Sequence, residues 1–211
     1  MPDAVQLVGG TAYLVLNCIF VPIYLRMIYI FVTKKSYRCL QCYQIMIQLG
    51  IVQCLIGMTF GLGGICSVIG QDVERMGSYA MVVLAATLRI KVGLNFVLAF
   101  DRLRVVTKSH ISERIPHVLM ALAWTYGCVH SELLLTPIAH IFYNLDTLNH
   151  KYDYTYPHTF LIQEIAAGYT WILSLITFLT YVAMAISVMR QQRLTSRSGF
   201  SQSWIFVILG M

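Results

Sequence analysis

The sequence predicts an all-α membrane protein, an incomplete seven-transmembrane helix bundle with five full spans and the start of a sixth. Three observations lead there. The chain is 58% apolar and only 11% charged, where a soluble domain averages about 25% charged residues. Its mean hydropathy is +0.69. Five of its apolar runs reach the roughly 20 residues that a helix needs to cross a bilayer.

The runs are 7–32, 43–66, 76–100, 116–142 and 160–189. The first follows "MPDAV", which has no basic n-region, and it is too long for the core of a signal peptide. It therefore reads as a membrane helix left in place. The second contains Gly57-Met-Thr-Phe-Gly61, a spacing of small residues that lets helix backbones approach closely. Gly63-Gly64 follows and is expected to bend or end this helix. The third run closes on "NFVLAFDRLRVV", where Asp101-Arg102 marks the return to water. Pro22 and Pro137 fall inside the first and fourth runs as expected kinks, which membrane helices tolerate. A sixth run begins at 203–211, "SWIFVILGM", and is too short to span; a fragment of a longer bundle is the simplest account.

Lys and Arg gather on cytoplasmic loops. Here ten lie in the first, third and fifth loops, while the second has only Arg75 and the fourth only Lys151. This asymmetry puts the N-terminus outside and the odd loops in the cytosol. The net charge of +6 is thus spread between apolar runs, with no basic face for nucleic acid. Of six cysteines only Cys66 lies near the outer side, so no outer disulfide is expected. "CLQC" at Cys39–Cys42 has too few ligands for zinc, and no metal or cofactor is expected.

Two charges stand near the middle of the third run, Arg89 and Lys91. A charge there costs about 2.5–3.5 kcal/mol or more. Two positions on a helix are about 200° apart, so the two side chains point in nearly opposite directions. The third helix must then be enclosed by protein or line a polar cavity. Candidate partners are Glu132, beside His130 in the fourth run, and Glu164 in the fifth. Arg89 lies 12 residues above Asp101, and Glu132 lies 17 above Ile115. Their depths differ by about 7 to 8 Å, within reach of an Arg side chain. Arg89, Lys91, His130, Glu132 and Glu164 are therefore a candidate ligand pocket or a buried ion pair.

The sequence does not read as an enzyme. It has no His-Glu-x-x-His, no Gly-x-Ser-x-Gly and no paired intramembrane aspartates. The alternatives to a receptor are a secondary transporter, with Arg89, Lys91, Glu132 and Glu164 as its relay, and a scaffold whose helices only pair. Transporters usually repeat one half in the other; here the first three runs do not resemble the last ones.

The stretch "GTAYLVLNCIFVPIYLRMIYIFVTKKSYRCLQCYQIMIQLGIVQCL" resembles the front of the nematode serpentine chemoreceptors, class T most closely. The resemblance rests on an aromatic-rich first helix after Gly10, a Lys-rich loop, Cys42-Tyr43-Gln44-Ile45-Met46 and Leu49-Gly50-Ile51. It continues through "LNFVLAFDRL" and covers nearly all 211 residues. It implies a G-protein-coupled receptor in the plasma membrane, of sensory cilia in that family. Its ligand would be a small odorant and its partners a heterotrimeric G protein and membrane lipid. Asp101 and Arg102 would form the signalling switch, with Asp101 orienting Arg102. Arg104, Lys108 and Arg114 would contact the G protein or lipid headgroups. The chain departs from the pattern in three places. Gln53 stands where the family often has a helix-bundle Asp. Asp101-Arg102 stands where Asn-Arg is usual. No cysteine pair ties the third helix to the outer loop, as in many seven-helix receptors.

Overall fold

The computed structural model describes residues 4–35, 40–72, 75–107, 112, 114–144 and 149–197. Lys108 and the partial span 203–211 lie outside the described residues. Five helices, α1 (Ala4–Thr33), α2 (Gln41–Ile69), α3 (Met76–Val106), α4 (Arg114–Leu135) and α5 (Thr159–Arg197), form a bundle, and a hairpin of β1 (His140–Asn144) and β2 (Asn149–Asp153) packs on α3, α4 and α5. Each helix is long and apolar enough to cross a membrane. Following the charge asymmetry, the hairpin end is termed outer.

Most of these helices carry apolar residues all round, and their outward faces stay apolar. Phe20 and Ile23 on α1 and Trp171 and Phe178 on α5 are all exposed. In lipid such faces carry no penalty, whereas every backbone group must be satisfied within the protein. Thr hydroxyls comply by bonding back to carbonyls one turn earlier, as Thr125 does to Ala121 and Thr177 to Leu173.

α1 and α2 are joined through glycines. A Cβ at Gly64 would lie 2.9 Å from the Gly10 carbonyl oxygen, and one at Gly10 would lie 2.8 Å from the Gly64 oxygen. Gly57 and Gly61 form a slot for the Asn17 side chain; a Cβ at Gly57 would meet its Oδ1 at 2.7 Å. Gly64 serves packing against α1 in this way, while Gly63 faces Met81 and Tyr143; the helix does not end at this pair, contrary to expectation. α2 runs on to Ile69 and stops at Gly70, whose φ of 75° suits a residue without Cβ.

α3 sits at the centre, against α2, α4, α5 and β1. Over half of its most apolar stretch is buried, while none of the corresponding stretch of α1 is. Its core neighbours include Val52, Ile56, Cys66 and Tyr143. An outer cluster of Val82, Leu134, Ile141, Tyr152 and Ile162 joins α3, α4, the hairpin and α5.

Two boundaries differ from the sequence reading. The fourth run of 116–142 is not one helix: α4 ends at Leu135, and residues 140–144 form β1. Pro137 disfavours helical geometry at Thr136, and the strand that follows buries Ile141 and Tyr143 on alternate positions. α3 continues past 100 to Val106, so Asp101 and Arg102 lie inside its last two turns.

Candidate functional site

The residues around Arg89 come from four elements. Tyr126 and His130 are one turn apart on α4 and share a face. Their rings stack with centroids 6.3 Å apart. Tyr169 of α5 stacks on Tyr126 at 4.0 Å and 25°. From above, Tyr152 of β2 comes within the field of the Arg89 guanidinium. The guanidinium charge acts on all four rings.

Small residues permit this approach. A Cβ at Gly93 would meet Ala123 at 2.6 Å and the Tyr169 hydroxyl at 2.8 Å. Gly127 of α4 accepts the Ile90 side chain in the same manner.

Three buried polar atoms here have no hydrogen-bond partner: Arg89 Nε, Tyr126 Oη and His130 Nε2. Leaving such a group unsatisfied costs about 1–3 kcal/mol. The expected ion pairs are not formed. Glu132 and Glu164 are exposed, and neither bonds to Arg89 among the described residues. The reason is rotational: Glu132 lies two positions from His130, which puts it on the far side of α4. The result, among the described residues, is a cation among phenols and an imidazole, without a carboxylate. Such a set donates to an oxyanion or carbonyl oxygen. Burial pushes the Tyr152 phenol above its ordinary pKa, and Arg89 opposes that shift, so Tyr152 remains a neutral donor near pH 7.

Over the outer ends of α3 and α4 lies a cavity of about 290 Å³ lined by Arg75, Tyr79, His140 and Tyr156. Arg75 holds a left-handed φ of 62°. The hairpin below it is anchored by Tyr143, whose hydroxyl meets Ser67 Oγ at 2.7 Å and donates to the Gly63 carbonyl at 3.2 Å. The Tyr143 amide donates to Ser78 Oγ at 3.4 Å. Ser78 in turn donates to Asp72 at 2.7 Å, and Asp72 also accepts from the Gly77 amide at the start of α3. This chain of hydrogen bonds fastens the outer loop to α3.

Lys91 points away from Arg89, as the two-residue spacing requires. It lines a separate cavity among α1, α2 and α3 together with Gln53. Arg89, Lys91, Glu132 and Glu164 therefore form no connected relay among the described residues.

At the inner end, the fully buried Asp101 pairs with Arg104 at 3.2 Å. Arg104 also donates to Gln41 at 3.0 Å, and Gln41 meets His117 Nδ1 at 3.0 Å. Asp101 thus holds Arg104, three residues on, and Arg104 is part of an α2–α3–α4 tie. The Arg102 guanidinium lies near the Cys42 thiol of α2. Arg114 is exposed. Gln191 of α5 donates to the Val106 carbonyl at 2.9 Å, joining α5 to the end of α3.

Sequence reasoning missed Tyr126, Tyr152, Tyr169 and Tyr143. The i, i+4 spacing of Tyr126 and His130 was a usable signal. The others are brought in by tertiary contacts that no local pattern records.

No protein-family model matches the chain, and no curated protein matches it. Among solved structures, squid rhodopsin matches over 94% of this chain with a TM-score of 0.78 at 16% identity. The chain spans 57% of the length of that one. This is a multi-pass membrane protein whose five described helices are arranged as in the rhodopsin fold.

Proposed function

We propose that this chain is a chemosensory receptor that binds a small acidic molecule at Arg89 and signals to a heterotrimeric G protein. The observation that carries the reading is the unpartnered set of Arg89 Nε, Tyr126 Oη and His130 Nε2 beneath the hairpin. A ligand carboxylate would satisfy the two donors and the cation together. Ligand binding shifts a receptor only by its differential affinity for two states, and rings drawn from α4, α5 and β2 around α3 are placed to sense such a shift. The rhodopsin-type fold supports the reading, as does the resemblance to nematode class T chemoreceptors. The charge asymmetry of the loops supports an N-terminus outside, and the chemoreceptor resemblance supports the plasma membrane. Arg102 at the inner end of α3 would face the G protein, with Arg114 on the same side. The transporter alternative loses its support because Arg89 and Lys91 face different helices and both glutamates are exposed.

The test is binding of short, water-soluble carboxylic acids and their amides to the chain in lipid nanodiscs. The acids should bind preferentially, and Arg89→Met should weaken them roughly tenfold or more, as loss of a charged hydrogen bond does. Equal binding of acids and amides, unaffected by Arg89→Met, overturns the proposal.

A further inference from the structure

We infer that the cavity walled by α1, α2 and α3 is a second binding site, one that takes the carboxylate of a fatty-acid-class molecule on Lys91. Lys91 lies at the midpoint of α3, 15 residues from either end of Met76–Val106. That is about 22 Å along the axis from each terminus. No hydrogen bond or ion pair joins it to any described residue. Among the described residues, no Asp or Glu lines the cavity. An ammonium at this depth draws in an anion, because a charge in hydrocarbon is stabilised by pairing.

The rest of the lining defines the ligand. Gln53 and Asn95 bring carboxamide N–H groups that donate to a carboxylate as Lys91 does. The remaining walls are mostly apolar, with Phe31, Met46 and Leu49 among them. Such walls hold a methylene chain and stabilise a small hydrated anion poorly. The volume is about 180 Å³, compared with an apolar cavity of about 150 Å³ that holds benzene. That is room for an acid head and a few methylenes. Met27 at the rim is exposed on the side of α1, so a longer tail can leave the cavity along that side. A cationic ligand is excluded by Lys91 itself.

The experiment uses the chain in neutral phosphatidylcholine nanodiscs and a long-chain monocarboxylic acid labelled at its tail. The methyl ester of the same molecule is the reference. The acid should bind roughly tenfold or more tightly than the ester, the effect of a charged hydrogen bond. Lys91→Met should reduce the acid to the level of the ester, and Lys91→Arg should keep the preference. Equal binding of acid and ester by the unaltered chain overturns the inference, and that comparison needs no variant to fold. A preference that survives Lys91→Met but disappears in Arg89→Met also overturns it, because the acid then sits at the other face of α3.

Discussion

At its outer end α3 is held around an aromatic ring: Tyr143 lies between α2 and α3, its hydroxyl meets Ser67 and its backbone amide donates to Ser78. At its inner end α3 is held by an ion pair, Asp101 with Arg104, extended by Gln41 and His117. The outer tie takes its strength from a large buried ring whose hydroxyl is satisfied. The inner tie takes its strength from a buried carboxylate that is costly to leave alone. One end fails by losing volume, the other by losing a charge.

The largest effect should come from the ring. Tyr143→Ala leaves a void between Gly63 and Gly77, and should cost about 3–5 kcal/mol, seen as a lower Tm in detergent. Tyr143→Phe keeps the volume, and Ser67 keeps its own bond to the Gly63 carbonyl at 2.9 Å. That variant should cost only about 1 kcal/mol. Equal losses from the two variants would show that the hydroxyl, not the ring, fastens the hairpin.

A middle effect is expected from Asp101→Asn, which removes the ion pair and keeps the shape. Its cost should be about 1.5–3 kcal/mol in the same melting measurement. Limited proteolysis should show loosening at the α2–α4 inner ends and none at the hairpin. Loosening at both ends would mean that the two ties are coupled through α3.

The smallest effect is pH. Burial, the leading cause, pushes the Tyr143 phenol above its ordinary pKa, and the bond from Ser67 opposes it. Tyr152 is shifted the same way by burial. A raised folded-state pKa means stability that is full below about pH 10 and lost as pH rises through the folded value. Amide hydrogen exchange in the hairpin should therefore quicken in strong alkali, less so in Tyr143→Phe. No alkaline change, or a hairpin that loosens in acid instead, would contradict this account.

Much of the fold was legible because lipid imposes a simple code. Runs of apolar residues gave the spans, and Lys and Arg in alternate loops gave the orientation expected. The Gly57–Gly61 spacing pointed to a close helix contact, and Asn17 fills it. The site was only half legible. Arg89 and Lys91 could be assigned opposite directions from 3.6 residues per turn, and the structure gives each its own surroundings. Their partners could not be assigned. Matching depth made Glu132 look reachable, but depth says nothing about which way α4 is rotated. The hairpin was hidden for another reason: residues 139–142 are apolar enough to continue a membrane run, and hydropathy does not distinguish a strand buried by α3 from a helix in lipid.

The sequence by itself determined that this protein lives in a membrane, as a bundle of apolar helices with two charges on α3. Composition and period suffice for that, since both are local properties. Only the tertiary structure decided that tyrosines, not glutamates, surround Arg89, that Asp101 holds Arg104, and that Lys91 opens onto α1 and α2. Those outcomes depend on how helices distant in sequence are rotated against one another. Close packing at Gly10, Gly57, Gly64, Gly93 and Gly127 sets that rotation, and it belongs to pairs of helices, not to any single one.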